Sequence, residues 1–482
     1  MTDWLPRKLR ETALAEVEAR LAAAPADADA GFERACLLAE LGEIEAAKAA
    51  YLDLLARVPN HAGALNNLGT LLHAASYRRA ARTVYAQAAA AHPDDPMGHV
   101  NLANLLFEEE EAEGARAHYE TALRLAPDHA EAHRGLAILL AEQGEAAQAA
   151  YHRDRAFGTR PVTTLPYRGV GAPLPLLLLV SVAGGNVPFS ALLDDRIFLT
   201  HVAVAEYVTP ETPLPAHRLV VNAVGDSDLC RPALERVSAL LAGGMAPVVN
   251  PPAVILPTGR LDNARRLGAL PGVVTPAGAL LPRAILAGPG VAAVLAREGL
   301  GFPLLLRTPG YHTGRHFQRI AAPEDLPAAL AALPGDELLA LQYLDAKAAD
   351  GCARKYRVMT IGGRLYPLHL AIARQWKVHY YTSDMAAQEA YRAEEAAFLA
   401  DMPGVLGAEA MAALERVNRA LGLDYGGVDF ALDAKGRLLL FEANATMIAA
   451  PPPPDGIWAY RRPAFDRVRA AAQALLLARA QG

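Results

Sequence analysis

Pro59, Pro93, Pro127 and Pro161 each follow the previous one by 34 residues. Three equal intervals call for a structural unit of that length. The same register aligns the small residues Ala35, Gly69, Ala103 and Ala137, and the leucines Leu38, Leu72, Leu106 and Leu140. It also aligns Tyr51, Tyr85 and Tyr119, and then Ala47, Ala81, Ala115 and Ala149. Small residues let two antiparallel helices approach closely. A tyrosine can pack in the second helix, and a proline stops that helix before the next unit begins. The spacing predicts four helix pairs from about Ala28 to Arg160, the last imperfect because Arg153 stands at the tyrosine position. Residues 1–27 read as a preceding helix or a degenerate cap.

This pattern resembles the tetratricopeptide repeat, an all-α superhelix with the same period and the same small, aromatic and proline positions. The resemblance implies a peptide or protein partner on the concave face. Pairing of subunits or bracing of a neighbouring domain is the plainer alternative.

The repeats account for only a third of a 482-residue chain, which is too long for a single core. Its 52% hydrophobic and 20% charged residues fit a globular protein, and a net charge of −6 lends no support to nucleic-acid or membrane binding. Cys36, Cys230 and Cys352 are far apart and in no metal-binding spacing, which suits a reducing compartment. The charged N-terminus has no apolar signal core. The longest apolar run, Pro173 to Gly184, falls short of the ~20 residues of a membrane span. A cytoplasmic location is expected.

Composition shifts at Thr159–Pro175, where Pro, Gly and Thr replace Ala and Glu, and this segment reads as a linker. A β–α–β pattern follows. Strands are expected at Leu176–Ala183, Val202–Val208, Leu219–Ala223 and Pro247–Asn250, with a helix over Arg231–Gly243. Gly184-Gly185-Asn186 lacks both GxGxxG and a Walker lysine, so a plain strand-to-helix turn is the better reading.

The segment Gly427–Met447 carries the clearest chemistry. Strands VDFAL and RLLLFEAN flank Asp433-Ala434-Lys435-Gly436, a hairpin signature. Asp429 then lies beside Glu442 and Asn444, which are two apart and share a face. Three oxygen ligands converging in this way suit Mg²⁺, which completes its octahedron with water and phosphate oxygens. An ordinary hairpin with a polar edge is the alternative.

Here the chain resembles the ATP-grasp superfamily, whose D-alanine ligase, glutathione synthetase and ribosomal-protein glutamate ligase branches end in this Asp, Glu-x-Asn hairpin. The resemblance spans about Pro173 to Ala450 and implies an α/β plus α+β fold with ATP held between two lobes. It makes Asp429, Glu442 and Asn444 the metal ligands of two Mg²⁺ ions. Arg307 becomes the basic residue ending a strand before a phosphate loop that contains Gly310, His312, Thr313 and Gly314. Arg260, ten residues after Asn250-Pro251-Pro252, matches a nucleotide-binding lysine. Gln342, Tyr343 and Leu344 match the hinge strand at adenine, with Asp345 at the ribose. Lys355 and Arg357 share a face of the next hairpin. Arg357 and Arg374 match arginines that hold phosphates or the tetrahedral intermediate. His369, Lys377 and His379 lie nearby as possible substrate contacts or as core and surface residues. Asn222–Asp228 and Gly184–Asn186 fall where the first lobe lines the acceptor pocket.

Some positions depart from the family. Gly427 stands where D-alanine ligases carry arginine, and Ala445-Thr446-Met447 replaces the usual small and Pro-Gly residues, which argues against D-alanine as substrate. Lysine is commoner in the family at the positions of Arg307 and Arg260. Expected, then, are a repeat domain over 1–160, a linker over 161–175 and a Rossmann-like lobe over 176–270. A central lobe over 271–340 and a C-terminal lobe with the metal site over 341–482 follow. The implied activity is an ADP-forming carboxylate–amine ligase working through an acyl-phosphate, on an amine and a carboxylate, one of them presented by the repeats. An ATP-grasp kinase and a catalytically degenerate nucleotide-binding adaptor are the alternatives.

Overall fold

A computed structural model describes residues 7–75, 77–189, 192–244, 246–310, 316–378, 383–452 and 456–481. The chain forms two compact units. The first comprises Met1–Pro175 with Asp195–Val208, and the second Leu176–Asp194 with Thr209–Gly482.

In the first unit, α1 (Arg7–Ala23) precedes four helix pairs. These are α2 (Ala28–Glu40) with α3 (Ile44–Arg57), α4 (Ala62–Ala74) with α5 (Arg78–Ala91), α6 (Pro96–Glu108) with α7 (Ala112–Leu125), and α8 (Ala130–Glu142) with α9 (Ala146–Phe157). The 34-residue register reaches further than the sequence reading took it. Asp27, His61, Asp95 and His129 occupy one position of the repeat, and each caps the first helix of its pair by accepting a backbone N–H. The aligned tyrosines are buried, and each hydroxyl bonds a residue at another repeat position: Tyr51 to Cys36 Sγ (3.3 Å), Tyr85 to Thr70 (3.2 Å) and Tyr119 to Asn104 (2.7 Å). Ala81, Ala103, Ala115 and Ala149 have no exposed surface, so the aligned small residues are where the helices meet.

Three strands follow in chain order: β1 (Val162–Thr164), β2 (Leu174–Val180) and β3 (Phe198–Val204). β1 and β3 pair antiparallel within the first unit. The expected linker thus contains a strand, and residues 195–208, expected in the Rossmann-like lobe, fold with the repeats. The strand expected at Val202–Val208 ends four residues early. Val204 spends its N–H on Pro161, and the amides of Tyr207 and Val208 turn back onto the Val204 carbonyl.

The second unit contains a parallel arrangement of β2, β4 (Leu219–Asn222) and β5 (Val248–Val249), with the helix Arg231–Leu241 between the last two. An antiparallel sheet has the order β7 (Gly278–Pro282), β10 (Glu337–Gln342), β8 (Leu304–Arg307), β9 (Phe317–Ile320). A five-stranded sheet has the order β12 (Arg364–Ala373), β11 (Ala353–Ile361), β13 (Tyr425–Leu432), β14 (Leu438–Asn444), β6 (Val273–Val274). The expected hairpin is β13–β14, and β6 joins its outer edge in parallel rather than the central sheet. The helix Arg462–Gln481 packs back on β11 and β12.

Asn250 ties the first strands of this unit to the start of β13. It is fully buried at φ 54°, a left-handed conformation that asparagine tolerates better than most residues. Its Nδ2 donates to the Tyr425 carbonyl (2.7 Å), and its Oδ1 accepts the N–H groups of Asp424 (2.8 Å) and Tyr425 (3.1 Å). Its own N–H donates to the Asp424 carboxylate (2.9 Å), and its carbonyl accepts from Asn222 Nδ2 (2.9 Å).

Candidate functional site

A cavity of about 380 Å³ opens within the second unit, at the lower end of the ~300–1,000 Å³ typical of small-molecule sites. Leu261, Leu280, Leu339, Leu341 and Leu440 supply its apolar lining. Arg260, Arg307, Glu442, Asn444, Gly310 and the loop from Gly225 to Leu229 supply the polar part. The segments that bring these residues together are remote in sequence: a helix start, the end of β8, the end of β14 and the loop after β4.

Arg260 opens the helix Arg260–Gly268. Its backbone N–H donates to Asp228 Oδ2 (2.8 Å), and its Nη2 to Glu442 Oε1 (2.8 Å). The same Glu442 oxygen accepts from Asn444 Nδ2 (3.0 Å). Burial resists ionisation of Glu442, but Arg260, and after it Arg307 and Arg357, outweigh burial and the nearby Asp429, leaving Glu442 below the usual carboxylate range. Burial, with a smaller contribution from Arg260, pushes Arg307 down to about 10. It therefore remains charged at neutral pH, as a desolvated cation beside a second cation. Glu442, Asp226 and Asp228 lie close enough to offset part of the burial cost.

Behind this group, β11 and β13 pair with Arg357 opposite Asp429. Asp429 is only 2% exposed. Arg357 grips it with a fork, Nε to Oδ1 (2.7 Å) and Nη2 to Oδ2 (2.8 Å), and Lys355 Nζ adds a third bond to Oδ2 (3.1 Å). Burial alone would raise the Asp429 pKa, yet Arg357 and then Lys355 hold it well below the carboxylate range. His369, across from Arg357 on β12, is driven well below the usual histidine range, first by burial and then by the Arg357 charge, so it stays neutral.

The other expected site residues are more scattered. Gly310 lines the cavity at φ 79°, whereas His312, Thr313, Gly314 and His379 lie outside the described residues. Gln342 ends β10 and exchanges hydrogen bonds with Ala277, its N–H donating to the carbonyl (2.8 Å) and its Oε1 accepting the amide (3.2 Å). Tyr343 lies under the Arg319 guanidinium (4.7 Å) and edge-on to Trp376 (6.5 Å). Leu344 is half-buried, and the exposed Asp345 caps a turn by accepting the Lys347 N–H (3.1 Å). Arg374 is exposed beyond the end of β12; its N–H donates to Asp384 (3.1 Å), and its side chain acts on Tyr391 rather than lining the cavity. Thr258 and Asn263 line the cavity without having been anticipated. Asn263 bonds the Ala443 carbonyl through Nδ2, and one asparagine among the several polar residues of a short helix gives no sequence signal of such a contact.

As a divalent-cation site, the trio of Asp429, Glu442 and Asn444 does not fit. The residues do stand on adjacent strands, with Asp429 paired to Glu442 and Gly427 to Asn444. Both Asp429 oxygens, however, already accept from fixed cations. Asn444 Oδ1 accepts from the N–H and hydroxyl of Thr446 (3.0 Å each), and Glu442 Oε1 holds Arg260. Among the described residues, no group of three His, Cys, Asp or Glu side chains converges as a metal site. No single described helix is long and apolar enough to cross a membrane.

The tetratricopeptide repeat family matches residues 32–96, and a second description of the same repeat matches 103–144. The N-terminal helices of the first unit form a tetratricopeptide repeat array. Three similar solved structures are low in identity and overall score. MamA from Desulfovibrio magneticus RS-1 is 22% identical, covering 31% of this chain and 84% of that one at a TM-score of 0.28. PilF of Pseudomonas aeruginosa is 24% identical, with coverage of 31% and 68% and a TM-score of 0.30. YrrB, described as a repeat protein with an unusual peptide-binding site, is 19% identical, with coverage of 32% and 79% and a TM-score of 0.28. No curated protein matches the chain.

Proposed function

We propose that the second unit binds ATP and uses it to join a carboxylate to an amine, and that the repeat array presents a peptide or protein substrate to it. The observation that supports this reading is the cavity where Arg260, Arg307, Glu442 and Asn444 meet beside a leucine-lined wall. In this reading the leucines take the base, and the backbone at Gln342–Leu344 borders it. Arg260 and Arg307 receive the phosphates, because a guanidinium binds a phosphate through paired charge-assisted hydrogen bonds. ATP supplies the phosphoryl group that turns a carboxylate oxygen into a leaving group. Amine attack on the activated carbon then expels phosphate and forms the amide. The chain's contribution is positioning and positive charge rather than a covalent nucleophile. A cytoplasmic setting belongs to the same reading and suits three cysteines that form no disulfide.

A second reading, nucleotide binding without turnover, is favoured by one observation: Asp429 is closed off by Arg357 and Lys355. ADP release from ATP, with magnesium, pooled amino acids and short peptides, compares wild type with Glu442→Ala. Turnover that needs both an amine and a carboxylate, and that disappears in the variant, supports the ligase. Binding of ATP without turnover supports the second reading. Hydroxamate trapping distinguishes a ligase from a kinase, since only an acyl-phosphate yields hydroxamate.

A further inference from the structure

Asp429 is the position at which an ATP-grasp site would bring its first carboxylate to a metal, yet here it is the most completely occupied acid in the second unit's site. Its two oxygens accept three charge-assisted bonds, two from the planar fork of Arg357 and one from Lys355. Arg357 and Lys355 are alternate residues on one face of β11, and strand pairing sets Arg357 directly opposite Asp429. A divalent ion reaching Asp429 would have to break a bidentate pair whose carboxylate is almost entirely shielded from water. It would then rest within a few ångströms of two displaced positive charges, a repulsion that low local dielectric magnifies. Glu442 repeats the arrangement more weakly, with Arg260 on the oxygen that Asn444 also uses.

From this arrangement we infer that Arg357 and Lys355 stand in for the divalent ion at Asp429, so that the cavity binds a nucleoside polyphosphate through its arginines without needing a metal. The inference rests on the ATP-binding reading of the same cavity. On the carboxylate side the site is already charge-compensated by its own side chains. Arg260 and Arg307 line the same cavity, and in the ATP-binding reading they receive the phosphates. The histidine facing Arg357 adds no charge, since His369 is held neutral. The cationic side chains that face the carboxylate pair come from three separate segments: the helix start at Arg260, the end of β8 at Arg307, and Lys355 and Arg357 on β11. Asp226 and Asp228 add negative charge near Arg307 and set the limit of this positive region.

The test is calorimetric titration of the full chain with ATP, in EDTA and in excess Mg²⁺, alongside Mn²⁺ titration of the nucleotide-free protein followed by electron paramagnetic resonance. We expect the ATP dissociation constants in the two buffers to agree within about threefold, and no Mn²⁺ site tighter than about 1 mM. Arg357→Met frees Asp429 for a metal, so its ATP affinity should fall by about tenfold or more in EDTA and recover with Mg²⁺. If that variant does not fold, Lys355→Met gives a smaller shift in the same direction. ATP binding by wild type that falls more than about thirtyfold in EDTA overturns the inference and leaves the ATP-binding reading intact. A micromolar Mn²⁺ site does the same. Failure to bind ATP in either buffer overturns both.

Discussion

Replacing Asn250 with alanine removes three hydrogen bonds that a fully buried side chain makes to the start of β13. The N–H groups of Asp424 and Tyr425 and the Tyr425 carbonyl then lack their partner in a place water does not reach. At about 1 kcal/mol net for each bond, and more where a buried group stays unsatisfied, the loss is about 3 kcal/mol or greater. Alanine must also hold φ 54°, at a further cost of about 1–2 kcal/mol. The sum, about 4–5 kcal/mol, corresponds to a fall of on the order of 10 °C in the melting temperature of a unit this size. Asn250→Gly loses the same bonds but not the backbone strain, so it should be less damaging than alanine by about 1 kcal/mol. Thermal unfolding followed by tryptophan fluorescence reads the right region, since Trp376 and Trp458 both lie in the second unit. A loss below about 1 kcal/mol for alanine, or a glycine variant no better than alanine, would refute the reasoning, because either result means these bonds do not hold β13 in place.

Other outcomes follow from the same geometry. His99 and His118 meet through their Nδ1 atoms (2.9 Å), as do His133 and His152 one repeat later (2.7 Å). Burial first, then for His118 and His152 the partner histidine, lowers the pKa of His118, His133 and His152, so the folded array binds fewer protons than the unfolded chain. Its stability is therefore fully present above the unfolded histidine pKa of about 6.5 and declines as pH falls below it. Circular dichroism melts at pH 7 and pH 5 should show this loss, and His99→Leu with His118→Val, the residues found at Leu65 and Val84 one repeat earlier, should reduce it. Gly135→Ala places a methyl group against the Tyr119 ring. Overpacking of about 1–3 kcal/mol should exceed the ~1 kcal/mol gained in helix propensity, and a higher melting temperature would count against that packing. Glu395, fully buried and ion-paired with Arg461, should cost about 3–5 kcal/mol as Glu395→Ala, measured by urea unfolding of the second unit.

Much of the first unit was legible because its information is short-range. A helix pair, its closing proline and the contact with the next pair all fall within about two repeats, so a 34-residue register in the sequence maps directly onto packing. The cap positions at Asp27, His61, Asp95 and His129 obey the same register, and the sequence contained them even though they were not singled out. The β13–β14 hairpin was equally readable, since Asp433–Gly436 turns the chain where alternation predicts two strands.

The site was legible only as a set of residues. That Glu442 and Asn444 share a face follows from strand alternation alone. That Arg357 pairs with Asp429 depends on the register between β11 and β13, which joins residues 72 positions apart. A shift of one residue would turn Arg357 to the other face. The same dependence on distant pairing drew residues 195–208 into the first unit and turned Arg374 away from the cavity. It also gave Asn250 to the start of β13, a contact 175 positions away that the local Asn-Pro-Pro motif does not encode. Periodicity thus determined which segments fold and which residue types are available. Tertiary pairing decided which charges meet, because electrostatic contacts act across distances in space that sequence spacing does not encode.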